Sequence, residues 1–138
     1  MTEHLDAELR IAVMKLARRI RLERGDADVT DNQLSVLFAL RKHGPQTLSS
    51  LSDLERVTPP SMSRTVGALE GDGRVTRTAS ADDGRKVLIE LTDAGRAIAT
   101  EASRRRAEWF STALSGLNRR DRATLDAAAP ILHELSGS

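Results

Sequence analysis

Apolar residues recur along this chain at two different periods, and the change of period marks its elements. Leu5, Leu9, Ala12, Val13, Leu16 and Ile20 return at helical spacing with charges between them, which predicts a first helix over about 3–24. Gly25 follows as a stop, behind a basic last turn that suits the helix dipole. Thr30-Asp31-Asn32-Gln33 has the form of a capping box, and Leu34, Leu37, Phe38, Ala39 and Leu40 behind it predict a heavily buried second helix that breaks at His43-Gly44-Pro45. Thr47 can cap a third helix over 48–55, with Leu48, Leu51 and Leu54 along its inner face. Thr58 can cap a fourth, whose two prolines fall in the first turn, where missing amides cost little. Met62, Val66 and Leu69 give that helix a core face. Its opposite face carries Ser61, Arg64 and Ala68, with Pro60 and Thr65 beside it.

At Glu70-Gly71-Asp72-Gly73 the helical period ends. Residues 74–79 and 86–91 are rich in β-formers, and Val75, Val87, Ile89 and Leu91 can line one face by alternation. Between them lies a polar tip, Ser80-Ala81-Asp82-Asp83-Gly84-Arg85. Helical spacing then resumes. Thr92 caps a long fifth helix over about 93–115, carrying Ile98, Ala102, Trp109, Phe110 and Ala113. Asn118 and Asp121 can start a sixth that runs to about Leu135, with Pro130 expected to kink or interrupt it. The order helix, turn, helix, β-hairpin over Leu48–Leu91 is that of a helix-turn-helix with a wing. The fold class is mainly α (α+β): a winged helix-turn-helix lobe over 30–92, with helical regions 1–25 and 93–138 outside it. The first, fifth and sixth helices carry more apolar stripe than one small lobe can cover, so a second copy, a homodimer, is expected to bury it.

Composition narrows the chemistry. The chain has 138 residues, a net charge of +1 and 30% charged residues, so nucleic-acid binding has to use local cations rather than a uniform basic field. From Arg56 to Lys86 the cations Arg56, Arg64, Arg74, Arg77, Arg85 and Lys86 face the acids Glu70, Asp72, Asp82 and Asp83. With only Phe38, Trp109 and Phe110 as aromatics, the core is built from aliphatic residues, which favours packed helices. The absence of cysteine excludes disulfides, thiolate metal sites and a thiol redox switch. His4, His43 and His133 stand apart in sequence, so neither a metal site nor a cofactor is expected. No nucleophile–base pair and no glycine-rich phosphate loop after a strand is present, so an enzyme is not expected. Acids stand where a signal peptide would carry its basic region and no apolar run is long enough to span a bilayer, which points to a cytoplasmic protein with no membrane partner.

Three motifs together carry a resemblance. Val29-Thr30-Asp31-Asn32-Gln33 leads into Leu34–Leu40; Thr58-Pro59-Pro60-Ser61-Met62-Ser63-Arg64 opens the fourth helix; and Asp83-Gly84-Arg85 is followed, five residues on, by Leu91-Thr92-Asp93-Ala94-Gly95. In order and spacing the chain resembles the MarR family of bacterial winged helix-turn-helix regulators over nearly its full length. The resemblance implies a two-fold homodimer that reads a pseudo-palindromic double-stranded DNA operator, as a repressor relieved by a small effector. Pro60, Ser61, Ser63, Arg64 and Thr65 would lie in or beside the major groove. Arg85 would enter the minor groove with Asp83 orienting it, and Lys86 and Arg77 would flank the wing on the DNA backbone. Thr47, Ser49 and Ser50, like Ser52, are candidates for backbone contacts at the start of the third helix. Many members release DNA on binding small phenolic or aromatic molecules between the lobes. Trp109 and Phe110 are the candidate walls here, although the position of their helix favours plain interface core. A winged-helix module that binds protein rather than DNA is the competing reading; Arg64 and the wing tip argue against it.

Overall fold

The computed structural model describes residues 2–82 and 84–137. Six helices and one hairpin follow in the order α1 (Thr2–Arg21), α2 (Asp31–His43), α3 (Leu48–Glu55), α4 (Pro59–Gly71), β1 (Val75–Ala79), β2 (Val87–Leu91), α5 (Asp93–Ser115) and α6 (Arg119–Ser136). Five of the helices begin where a short polar side chain can take an orphan amide. Thr30, Thr47, Thr58, Thr92 and Asn118 all have extended backbone and accept from the N–H three residues on; such a cap contributes about 1 kcal/mol. At Thr30 the box is complete, since the Gln33 Oε1 accepts from the Thr30 N–H at 3.1 Å.

The core belongs to the lobe. Leu34, Val36, Leu37 and Leu40 of α2 are buried against Leu51 of α3, Met62, Val66 and Leu69 of α4, and Val75 and Ile89 of the hairpin. Each such aliphatic side chain stabilises the fold by roughly 1.5–3 kcal/mol. The first half of α5 closes the core with Ala99 and Ala102, whose small size lets its backbone lie close to α2, while the buried Gly95 sits against Arg74 and Leu91 of the hairpin. The strands pair antiparallel in the register Val75↔Leu91, Arg77↔Ile89 and Ala79↔Val87. Gln46 adds a short third rung, exchanging backbone bonds of 3.1 and 2.7 Å with Ile89. The wing therefore grows out of the same residue that anchors it to the core.

Outside the lobe the helices are bare. No residue of α1 or α6 is buried. Leu5, Leu9, Met14, Ile131 and Leu135 are each more than half exposed, and an apolar groove of about 460 Å³ runs between Leu9, Val13 and Met14 of α1 and Leu132 and Leu135 of α6.

Several expectations need correction. Leu54 is 45% exposed while Ser52 is 4% exposed. At 100° per residue, two steps of three leave Leu54 turned by about 120° from Leu48, whereas Ser52, one step of four away, stays near the inner face. Val87 is 48% exposed because the hairpin runs past the edge of the lobe before its last inward position is reached. Pro130 does not interrupt α6, which is continuous to Ser136; the carbonyl it leaves unpaired is on an exposed stretch that water can reach. The first helix ends at Arg21, and three-residue-spaced bonds at Leu22 and Glu23 unwind it before Gly25 turns the chain with φ 85°.

Candidate nucleic-acid interface

The fourth helix presents two faces of opposite character. Met62, Val66 and Leu69 pack into the core, and Pro60, Ser63, Arg64, Gly67 and Ala68 are exposed on the other side. Apart from Arg64 this outer face is small, so the helix backbone can approach a groove closely. Gly67 is part of it and was not singled out by sequence reasoning. The signal was available: a glycine inside a capped helix, three residues after Arg64, costs about 1 kcal/mol relative to alanine unless it serves a purpose. No atom stands within 4 Å of where its Cβ would be. Arg64 forms no ion pair among the described residues. Ser61 and Thr65 turn sideways instead. Both are half-buried beside a cleft of about 50 Å³ shared with Asn32, Val36, Glu55 and Val57, and the Thr65 hydroxyl donates to the Ser61 carbonyl at 3.2 Å. They border the outward face rather than form its centre.

At the start of α3 the candidates separate by what already satisfies them. Thr47 Oγ1 accepts from the Ser50 N–H at 3.1 Å, and the Ser50 hydroxyl donates to Gln46 Oε1 at 2.5 Å. Ser49 is exposed. Ser52 is not available to a phosphate: it is buried and its hydroxyl donates to the Leu48 carbonyl at 3.0 Å. The turn between α3 and α4 is tied to α2 where the Ser35 hydroxyl donates to Glu55 Oε2 at 2.6 Å.

On the wing, Arg85 and Lys86 are exposed at the tip. Asp83, the expected partner of Arg85, lies outside the described residues. Arg77 points back rather than outward, with its Nε 3.3 Å from Glu70 Oε1 at the end of α4. This exposed pair is worth little in stability but holds Arg77 close to the end of α4. Arg74 is structural: it donates to the Asp28 carbonyl at 2.8 Å.

Behind the lobe, α5 carries an exposed ionic cluster. Arg104 and Arg105 both donate to Glu101, and these hydrogen bonds hold its carboxyl down at a pKa of about 2. The same bonds raise both guanidinium pKa values. Trp109 lies under the Arg19 guanidinium at 4.4 Å and 6.3 Å from the Phe110 ring; the cleft beside it is lined mainly by charged groups, Glu23, Arg104, Arg105 and Glu108. The aromatic that sequence reasoning assigned only to the core, Phe38, stands between two guanidiniums, Arg41 at 5.3 Å and Arg106 at 5.1 Å, in an open cleft of about 530 Å³ between α2 and α5. Burial lowers the pKa of Arg106. Arg41 is one helical turn from Phe38 and so legible in sequence; Arg106 is brought there only by the docking of α5. No group of three or more His, Asp or Glu among the described residues could hold a metal ion, and no described helix is long and apolar enough to cross a membrane.

A capped helix pair with a bare, small-residue outer face and an adjoining two-stranded wing defines a winged helix-turn-helix DNA-binding protein. The comparisons agree with this class. Residues 29–87 match the MarR family model. The chain is 38% identical, over 93% of its length and 90% of the relative's, to the uncharacterized HTH-type transcriptional regulator Mb0904 of Mycobacterium bovis. Its fold is similar to the crystal structure of RV1404 from Mycobacterium tuberculosis, at TM-score 0.87, 23% identity and coverage of 100% and 96% of the two chains. It is also similar to that of a Staphylococcus aureus MepR mutant bound to an oligodeoxyribonucleotide, at TM-score 0.70, 21% identity and 96% coverage of each. The chain belongs to the MarR family of helix-turn-helix transcriptional regulators, which are DNA-binding proteins and not enzymes.

Proposed function

We propose that this protein acts as a homodimeric repressor of a pseudo-palindromic operator. The observation that carries the reading is the outer face of α4, where Arg64 is the single long side chain among Pro60, Ser63, Gly67 and Ala68. A helix with that face can settle into a major groove and place one guanidinium against guanine or phosphate. Ser61 and Thr65 would border the groove, and the wing would follow the backbone into the next minor groove through Arg85 and Asp83, with Lys86 beside them. Arginine is drawn there because narrow A·T-rich minor grooves concentrate negative potential. Thr47, Ser49 and Ser50 would meet phosphate at the start of α3, with Arg77 nearby.

Two copies would join through the helical regions 1–25 and 93–138. The bare apolar stripes of α1 and α6 support this, since so much unpartnered surface on a monomer is costly in water. The two copies of α4 would then reach half-sites about one helical turn, ~34–36 Å, apart, and a dimer seated there would exclude polymerase. A small aromatic effector would relieve repression by entering between lobe and long helix. The cleft at Phe38, whose charged lining is all cationic (Arg41, Lys42 and Arg106), supports that step for an anionic aromatic better than the mixed-charge cleft at Trp109, which with Phe110 suits the interface between copies.

The test is binding to duplexes selected from a random pool, measured across salt concentration. Several phosphate contacts per dimer give a steep negative slope of log affinity against log salt. A flat slope, or no duplex retained, would remove the DNA reading in favour of a protein-binding module. Sedimentation checks the dimer: a monomer at micromolar concentration contradicts the architecture.

A further inference from the structure

No residue of α1 is buried, so the hold of this helix on the rest of the chain depends on contacts near its C-terminal end. Arg19 lies over Trp109 of α5 at 4.4 Å. Beyond it, arginines fasten the link over 22–30 that leads into α2, three of them on backbone carbonyls. Arg106 of α5 donates from Nε to Glu23 at 3.1 Å, Arg74 at the root of the hairpin donates to Asp28 at 2.8 Å, and Arg24 donates to Val29 at 3.3 Å. Arg105 also meets Asp26 at 3.4 Å, but that carboxylate is exposed and the pair is worth little.

Arg106 differs from the others in what it joins. Arg24 ties the link to itself and to Asp31 at the start of α2, and Arg74 ties it to the hairpin. Arg106 stands one turn beyond Ala102, the last buried residue of α5, where that helix leaves the lobe. From there its Nε–H meets the Glu23 carbonyl, in the tight turn that finishes α1, and its Cζ lies over the Phe38 ring of α2 at 5.1 Å. The last carbonyls of a helix carry partial negative charge, and a cation set against them is favourable. Arg106 is half-buried and forms no ion pair among the described residues. Partly withdrawn from water, its bond to the carbonyl is stronger than an exposed one.

The lobe and the outer helices are thus connected twice, once by the continuous α5 and once by the link over 22–30. A single helix lets a lobe swing about the point where it leaves; a second strut fixes the angle, and Arg106 is where the two struts meet. We propose that Arg106 is a positioning residue: it latches the end of α1 to α5 and α2, fixes the angle of the lobe, and so sets the half-site spacing that the two copies of α4 accept. This rests on the reading that a dimer seats α4 in two major grooves. A direct phosphate contact and a role in fold stability alone are the rival explanations. Both would act on every duplex alike, whereas a latch acts on the choice among spacings.

The experiment compares wild type, Arg106→Met and Arg106→Lys as full-length proteins. Methionine keeps an unbranched stem against Phe38 but has no N–H to give; lysine keeps a cation and a donor within reach of the Glu23 carbonyl. Each is measured on a selected duplex and on two others whose half-sites stand one base pair closer or farther apart, a step of about 3.4 Å. Wild type is expected to bind the shifted duplexes more weakly. Arg106→Met is expected to reduce that discrimination roughly fivefold, the scale of one hydrogen bond, with an unchanged salt slope, and Arg106→Lys to restore part of it. In the DNA-free protein, amide exchange over 22–30 is expected to quicken in Arg106→Met. An even loss on all three duplexes, a salt slope reduced by about one per protomer, lysine no better than methionine, or unaltered exchange over 22–30 overturns the proposal. If wild type itself shows no salt-dependent duplex binding, the DNA reading has failed and takes the spacing role with it, and exchange in the DNA-free protein decides the latch alone.

Discussion

Replacing Gly95 by alanine tests how the wing is joined to the long helix. Gly95 is buried in the first turn of α5, and an added Cβ would stand 2.0 Å from the Arg74 carbonyl oxygen, 3.0 Å from its carbon and 3.2 Å from Leu91 Cδ2. Carbon–oxygen contacts settle at about 3.3–3.6 Å, so either the start of β1 or the start of α5 has to move by more than an ångström. Neither is free to do so. The Arg74 carbonyl accepts from the Thr92 N–H at 3.2 Å, while the Thr92 hydroxyl donates to Gly73 at 2.7 Å and accepts from the Gly95 N–H at 3.1 Å. Overpacking against such a site costs about 1–3 kcal/mol, and a strained or lost hydrogen bond adds about 1 kcal/mol. The sum, about 3 kcal/mol, is a large part of a domain's roughly 5–15 kcal/mol and corresponds to a fall in Tm on the order of 10 °C for a chain of this size. Scanning calorimetry with urea unfolding measures it. Gly71→Ala is the control, since nothing stands within 4 Å of a Cβ there. A loss of less than about 2 °C in Gly95→Ala, on the scale of about 4 °C per kcal/mol, would refute the reasoning, because it would mean the junction gives way freely.

Gly67→Ala should act in opposite directions on fold and function: helix propensity raises stability by up to about 1 kcal/mol, while a methyl group on the face that enters the groove weakens duplex binding, so tighter or equal binding would place Gly67 outside the interface. Arg64→Ala should cost about 1–3 kcal/mol in operator affinity and relax preference at one base pair if the guanidinium reads a base edge, or weaken all sequences evenly if it meets phosphate; a panel of single-base variants separates these. The Glu101 carboxyl, held at about 2 by Arg104 and Arg105, has a folded pKa below its ordinary 4.5. Its stabilising contribution is therefore complete above about pH 4.5 and lost as pH falls through 2. The Tm difference between wild type and Glu101→Gln should shrink across that window; it will be small, because the cluster is solvent-exposed, and a difference that grows on acidification would contradict the assignment.

The elements themselves could be read from the chain. Helix starts are written within four residues, as a hydroxyl or amide and the backbone N–H it faces, so Thr30, Thr47, Thr58, Thr92 and Asn118 announce them without reference to the rest of the fold. The hairpin is likewise local, a change of period around a polar tip. The two-sided character of α4 was visible for the same reason, since a helix of known phase puts Met62, Val66 and Leu69 on one side whatever they pack against. Even the motif Leu91-Thr92-Asp93-Ala94-Gly95 could be recognised, but as a pattern without a cause.

Tertiary structure supplied the causes and the exceptions. Gly95 is required because the Arg74 backbone crosses it, and that crossing exists only once the hairpin has folded back. Leu54 and Ser52 stand where the strict 100° helical phase puts them, whereas the exposure of Val87 is set by its place at the tip end of the hairpin beyond the lobe, which no local period encodes. Ser61 and Thr65 turn toward α2 because the Glu55–Val57 turn leaves a cleft there. The pairing of Phe38 with Arg106 joins residues far apart in the chain. Sequence determined this protein's helices, its wing and the surface of α4, because those follow from interactions within a turn or two. Which of its side chains are spent inside the molecule, and which remain for DNA, a ligand or a second copy, was decided by long-range packing.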